Sequence, residues 1–186
     1  MRVPERNSFR RISCSAAFIA AVLGSLIAIA AGADAFEEAF PAPHWQRAKS
    51  ATKYAADCVS KSCGRPAHAF YLLGPVNPTI ADNIKSGSIN REWAQKLAVS
   101  FRKSQGDKIT VLDFEVQTGE VPGWLMVYEC HCDGATNYVA SQVMSVEKGS
   151  MTFFSSARTA AASRENLNKM VGVVYGPSYT GSTSSR

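Results

Sequence analysis

Seven consecutive residues, Tyr128-Glu129-Cys130-His131-Cys132-Asp133-Gly134, hold two of the five cysteines and one of the three histidines of the chain. Thiolates beside an imidazole could hold copper or zinc, or cycle as a dithiol–disulfide pair. Asp-Gly is a strong two-residue hairpin signal, so the triplet should close a strand. Successive side chains of a strand point to opposite faces, which sets Cys130 and Cys132 on one face and His131 on the other. That division keeps the three from converging on one metal. The same geometry strains a direct Cys130–Cys132 bridge, so each sulfur is better placed to reach a different partner.

The compartment bears on which partner. Arg2, Arg6, Arg10 and Arg11 precede an uncharged apolar run over 16–31, and small residues follow. These are the parts of a secretory signal peptide, with both Ala31-Gly32-Ala33 and Ala33-Asp34-Ala35 fitting the cleavage site. Loss of 1–33 lowers the formal charge from +5 to +2, so the pI near 9.0 is largely a property of that segment. A nucleic-acid partner is not expected, nor a membrane span once the signal is removed. Cys14 leaves with the signal. Cys58, Cys63, Cys130 and Cys132 remain in a chain read as periplasmic or secreted, where four cysteines suggest two disulfides.

Three arrangements of those cysteines are open. Two long bridges could staple the Cys58–Cys63 loop to the 124–146 hairpin, each contributing roughly 2 to 4 kcal/mol; this is the favoured expectation. A local Cys58–Cys63 bridge would leave Cys130 and Cys132 as a reducible pair suited to thiol exchange. A copper or zinc site would use Cys130 and Cys132 with a third ligand such as His68 or Cys58.

Other chemistry is sparse. His44 lies in a proline-rich leader and reads as solvated, and His68 as a satisfied histidine at a sheet edge. Asp113 and Glu115 share a strand face, which reads as polar surface. The serines of Ser155-Ser156 and Ser86-Gly87-Ser88 lack a nucleophile elbow. There is no P-loop, dinucleotide fingerprint or His-Glu-x-x-His motif, and no cofactor is expected.

The elements that would position these residues follow from periodicity. A leader over 34–44, interrupted by two prolines, should be irregular. A weakly amphipathic helix is expected over 45–56, from the stripe Trp45, Ala48, Thr52, Ala55, and a fully buried strand over 67–73. A helical turn at Ile80 and Ile84 and a helix over 90–102 capped by Asn90 come next. An alternating, half-buried strand over 108–118 follows, and then strands over 124–132, 136–146 and 151–155 joined by turns. A helix over 160–174 closes the domain, with a flexible tail over 177–186. The sum is one α+β domain over 45–176, with a mainly antiparallel sheet of about five strands covered by helices and stapled by disulfides.

From Asn90 to Val174 the order of pieces resembles the PsbP/DcrB-like proteins, small exported α/β/α sandwiches. The likeness rests on the helix with Trp93, the alternating strand, the turn through Gly123 and the hairpin strands over 126–128 and 138–146. Met151 to Phe154 and the helix through Asn166-Leu167-Asn168-Lys169-Met170-Val171 complete it. It covers about half of the chain and implies an accessory or binding role rather than catalysis. The four cysteines are not a feature of that family. The chain is thus expected to be a non-catalytic binding protein for a protein or small molecule, with metal handling and thiol exchange as alternatives.

Overall fold

The structure is a computed structural model that describes residues 33–75, 77–101, 106–132, 134–147 and 149–176. The expectations for 1–32 and for the tail over 177–186 lie outside the described residues.

Among the described residues seven strands form one sheet: β1 (Trp45–Lys49), β2 (Lys53–Cys58), β3 (His68–Gly74), β4 (Lys108–Gln117), β5 (Gly123–Cys132), β6 (Ala135–Val146) and β7 (Gly149–Ala157). The order is β1-β2-β3-β7-β6-β5-β4 and every neighbouring pair is antiparallel. The expected sheet of about five strands is corrected here. The helix expected over 45–56 is the hairpin β1–β2. Its helical stripe carried one large apolar residue, whereas Tyr54, Ala56 and Cys58 alternate with Lys53, Ala55 and Asp57 to bury one face. Pairing with β3 overrides the helix preference of the alanines.

Among the described residues four α-helices flank the sheet: α1 (Ala33–Ala39), α2 (Pro78–Lys85), α3 (Arg91–Ser100) and α4 (Ala160–Tyr175). Among the described residues no helix is long and apolar enough to cross a membrane. On one face α1 and α4 enclose Tyr71, Phe153, Leu125, Val127 and Met144. On the other, α2 and α3 cover β4, β5 and β6, burying Trp124, Met126, Tyr128 and both hairpin cysteines. The expected cover of helices is therefore also corrected. Strand is the dominant structure, and the second face of β1, β2 and β3 is largely open. β3 is accordingly buried on one side only, through Ala69 and Tyr71.

The segment expected as an irregular leader belongs to the domain. Phe36 stacks on Tyr54 and Phe40 packs edge-on against Trp45, with Phe40 fully buried. The two prolines lie beyond α1 and do not interrupt it.

At the far edge, β4 carries a bulge between Val111 and Asp113. One extra residue, the exposed Leu112, shifts the alternation. Ile109 and Val111 face α3 before it, and Phe114 faces that side after it. Asp113 and Glu115 thereby point to the α4 face. There Arg164 donates to Asp113 Oδ2 at 2.7 Å and to Glu115 Oε1 at 2.6 Å, so the expected solvated pair is a partly buried ion triad.

α3 also closes part of this edge. The Gln95 amide donates to the Ile109 carbonyl at 3.4 Å and accepts from the Val111 N–H at 3.3 Å. Arg91 donates to the Val111 and Leu112 carbonyls, each at 3.3 Å. Free strand edges invite association, and these side chains occupy the positions of a further strand. Gln95→Leu should cost about 1 to 3 kcal/mol in urea unfolding and produce concentration-dependent association in sedimentation.

Candidate binding face

Cys132 pairs with Ala135 across the hairpin, and Gly134 takes the left-handed conformation (φ 74°) that the two-residue turn needs. Cys130 and Cys132 point toward α2 and α3, and His131 points to the opposite face, as alternation requires. The favoured pairing of the cysteines is overturned. Cys58 is bonded to Cys63 and Cys130 to Cys132, with Cα–Cα separations of 5.8 and 5.5 Å. The physical reason is placement: Cys58 packs into the α1/α4 core while the hairpin cysteines lie under α3. No long staple can pass through the sheet.

Both bridges are local, so their effect on chain entropy is modest. The loop closed by Cys58–Cys63, with a sequence separation of 5, should contribute about 2 kcal/mol, and the separation of 2 at Cys130–Cys132 somewhat less. Exchange also needs access, and Cys130 and Cys132 are 8% and 5% exposed. Under mild dithiol reduction followed by alkylation and mass mapping, Cys63, the more exposed, should label before either hairpin cysteine. First labelling at Cys130 or Cys132 would instead favour thiol exchange.

The metal alternative does not assemble. His68 lies on β3, and β7 and β6 separate that strand from β5. Three strand spacings put it roughly 14 Å from the hairpin cysteines, and Cys58 is on the other face. Among the described residues no three His, Cys, Asp or Glu side chains are grouped to hold a metal ion.

His131 sits in a polar cluster with Thr136, whose Oγ1 is 2.8 Å from Nδ1, and with Glu129 at Nε2. Tyr138 donates to Glu129, and that bond raises the phenol pKa. Each of these contacts is a cross-strand or same-strand neighbour in register, which accounts for them as hairpin stabilisation. His44 is exposed, as expected, and also makes contacts. Its Nδ1 lies 2.7 Å from Ser62 Oγ and 3.1 Å from Ser60 Oγ, tying the chain before β1 to the Cys58–Cys63 loop.

The open half of the sheet gathers a different set. Phe70 on β3 and Phe154 on β7 stack with centroids 4.8 Å apart and an interplanar angle of 18°. Both are half-buried, as are the neighbouring Leu72, Thr152 and Ala55. At one end, His68 Nδ1 is 2.5 Å from Asp57 Oδ1 on β2. His68 is thus an interior-strand residue with a carboxylate partner rather than one at the sheet edge. Its Nε2 makes no hydrogen bond among the described residues, and alternation sets His68 on the same face as Phe70. Ser156 lies opposite His68 in register, which sets a hydroxyl beside the same strip.

The hydrogen bond from His68 lowers the Asp57 pKa, with a further contribution from its charge and that of Lys53. A carboxyl shifted down on folding stabilises the protein above its unfolded value, about 4, and that gain is lost as pH falls through the folded value. Acid titration of the melting temperature should therefore show a loss below about pH 4 that His68→Gln diminishes.

Phe70, Leu72 and Phe154 escaped sequence reasoning because an apolar run looks the same whether one or both faces are covered. Asp57 follows a segment with helical periodicity, and only the β2–β3 register brings it to His68. Comparison of the chain with protein-family models and with curated proteins finds a match in neither.

Proposed function

We propose that the protein is an exported, non-catalytic binding protein, periplasmic or secreted, that docks an apolar patch of another protein on the open half of its sheet. The observation that carries this is the Phe70–Phe154 stack lying half-exposed beside Leu72 on a face that no helix covers broadly. Small-molecule sites are concave, whereas an open sheet face across β1, β2, β3 and β7 offers the broad contact area that a protein partner uses. The His68–Asp57 pair supplies one directional group: with Nδ1 engaged by the carboxylate, Nε2 is free to hydrogen-bond the partner. The resemblance to PsbP/DcrB-like proteins points the same way, toward an accessory role.

The test places a photo-crosslinking residue at Leu72 in the full exported chain, with a control at Lys169 on the outer side of α4. The expected result is one discrete crosslinked protein from position 72, none from 169, and loss of the product on adding Phe70→Glu. Equal crosslinking at both positions, or none at 72, overturns the proposal. A product of twice the chain's mass would make the occupant a second copy and overturn it as well.

A further inference from the structure

The sequence allows removal of the leader after Ala33 or after Ala35, and the packing of α1 distinguishes the two. We infer that the processing site is the Ala33–Asp34 peptide bond; this rests on the reading of the chain as exported. The step is hydrolysis by a signal peptidase of the export pathway: water adds across that bond, leaving a carboxylate on Ala33 and an amine on Asp34.

Phe36 is 3% exposed, stacks on Tyr54 at 5.3 Å and meets the Phe40 ring edge-on at 5.7 Å. Its carbonyl accepts the Phe40 N–H at 3.1 Å. One residue on, Glu37 reaches Arg47 of β1 at 3.5 Å, and α1 leans on α4. Cleavage after Ala35 would make Phe36 the first residue and place an ammonium group on a nearly buried backbone, which is costly without a partner. It would also remove the first three residues of a helix only seven residues long, where cleavage after Ala33 removes one, and set the new positive charge of the helix start directly on the buried Phe36. Cleavage after Ala33 keeps the new charge two residues outside Phe36 and leaves 34–39 to dock. The same packing means that the bond is cut before α1 settles, since Ala33 is itself the first residue of the folded helix.

The experiment is intact mass and N-terminal sequencing of the full chain after export, together with Ala35→Gln and Ala31→Gln. The chain should begin at Asp34, and Ala35→Gln should leave that start unchanged. Ala31→Gln removes only the Ala31-Gly32-Ala33 site; it should accumulate precursor, or yield a Phe36 product that melts at least about 5 °C lower than the natural one. A natural start at Phe36, or precursor accumulating in Ala35→Gln, overturns the assignment while leaving export intact. A chain retained uncleaved inside the cell overturns the export reading itself.

Discussion

Phe40→Ala should lower the unfolding free energy by about 3 to 5 kcal/mol, the range for emptying a buried phenylalanine site. Phe40 is fully buried between Phe36, whose ring is 5.7 Å away, and Trp45 at 5.0 Å. Neither neighbour can collapse into the space without breaking its own contact, since Phe36 stacks on Tyr54 and Trp45 opens β1 against Cys58. Urea unfolding of the exported protein measures the loss. A change below about 1 kcal/mol, the size of an ordinary surface substitution, would mean that 34–44 is a leader after all. The same result would remove the basis for placing the processing site at Ala33–Asp34. The variant therefore tests both the fold and the inference drawn from it.

Gly123→Ala should be at least as damaging, in the range above about 4 kcal/mol where folding itself can fail. A Cβ at this position would lie 2.3 Å from the Val143 carbonyl oxygen and 3.2 Å from Met144 Cα. Both obstructing atoms are backbone of β6, so no rotamer change relieves them. β5 would have to part from β6 where Gly123 pairs with Met144 and where the Ser145 N–H donates to the Pro122 carbonyl at 2.8 Å. Trp124, Leu125 and Met126 follow immediately and are buried on the two faces of the sheet, so a shift there disturbs both cores. The yield of folded protein and its melting temperature measure the effect. Gly134→Ala makes the contrast: its Cβ meets nothing within 4 Å, and only the positive φ of 74° is strained, so its cost should stay near 1 kcal/mol.

The two substitutions also mark what was legible. The composition of Val121-Pro122-Gly123 marks a turn and says nothing more of Gly123. Its requirement for the absence of a side chain comes from a carbonyl 20 residues away in sequence, which no local pattern reports. Phe40 carries no local signal, because nearby prolines mask the helix before them and its partner Trp45 lies in a segment whose periodicity suggests a helix.

Among the candidate site residues the division is similar. Alternation correctly separated His131 from Cys130 and Cys132, because the two-residue period of a strand is a local property. The pairing of the four cysteines was misjudged, because it depends on which face of the sheet β2 presents and hence on β1–β2 being strands. His68 acquired a partner in Asp57 only through the β2–β3 register. Asp113 and Glu115 share a face as read, yet the cation that joins them arrives from α4.

The chain by itself determined the elements whose signals are local and strong. Asn90 caps α3 by accepting the Trp93 N–H, Gly134 turns the β5–β6 hairpin, and the segments between turn signals become β5, β6 and β7. The repeat at Leu167, Met170 and Val171 builds α4, with those residues buried. Tertiary structure decided the rest: the two further strands β1 and β2, an edge closed by Gln95, cysteines bonded to their near neighbours, and half a sheet face left open beside Phe70 and Phe154. Periodicity reports which residues prefer to be buried; only the packing of distant segments decides which of them are.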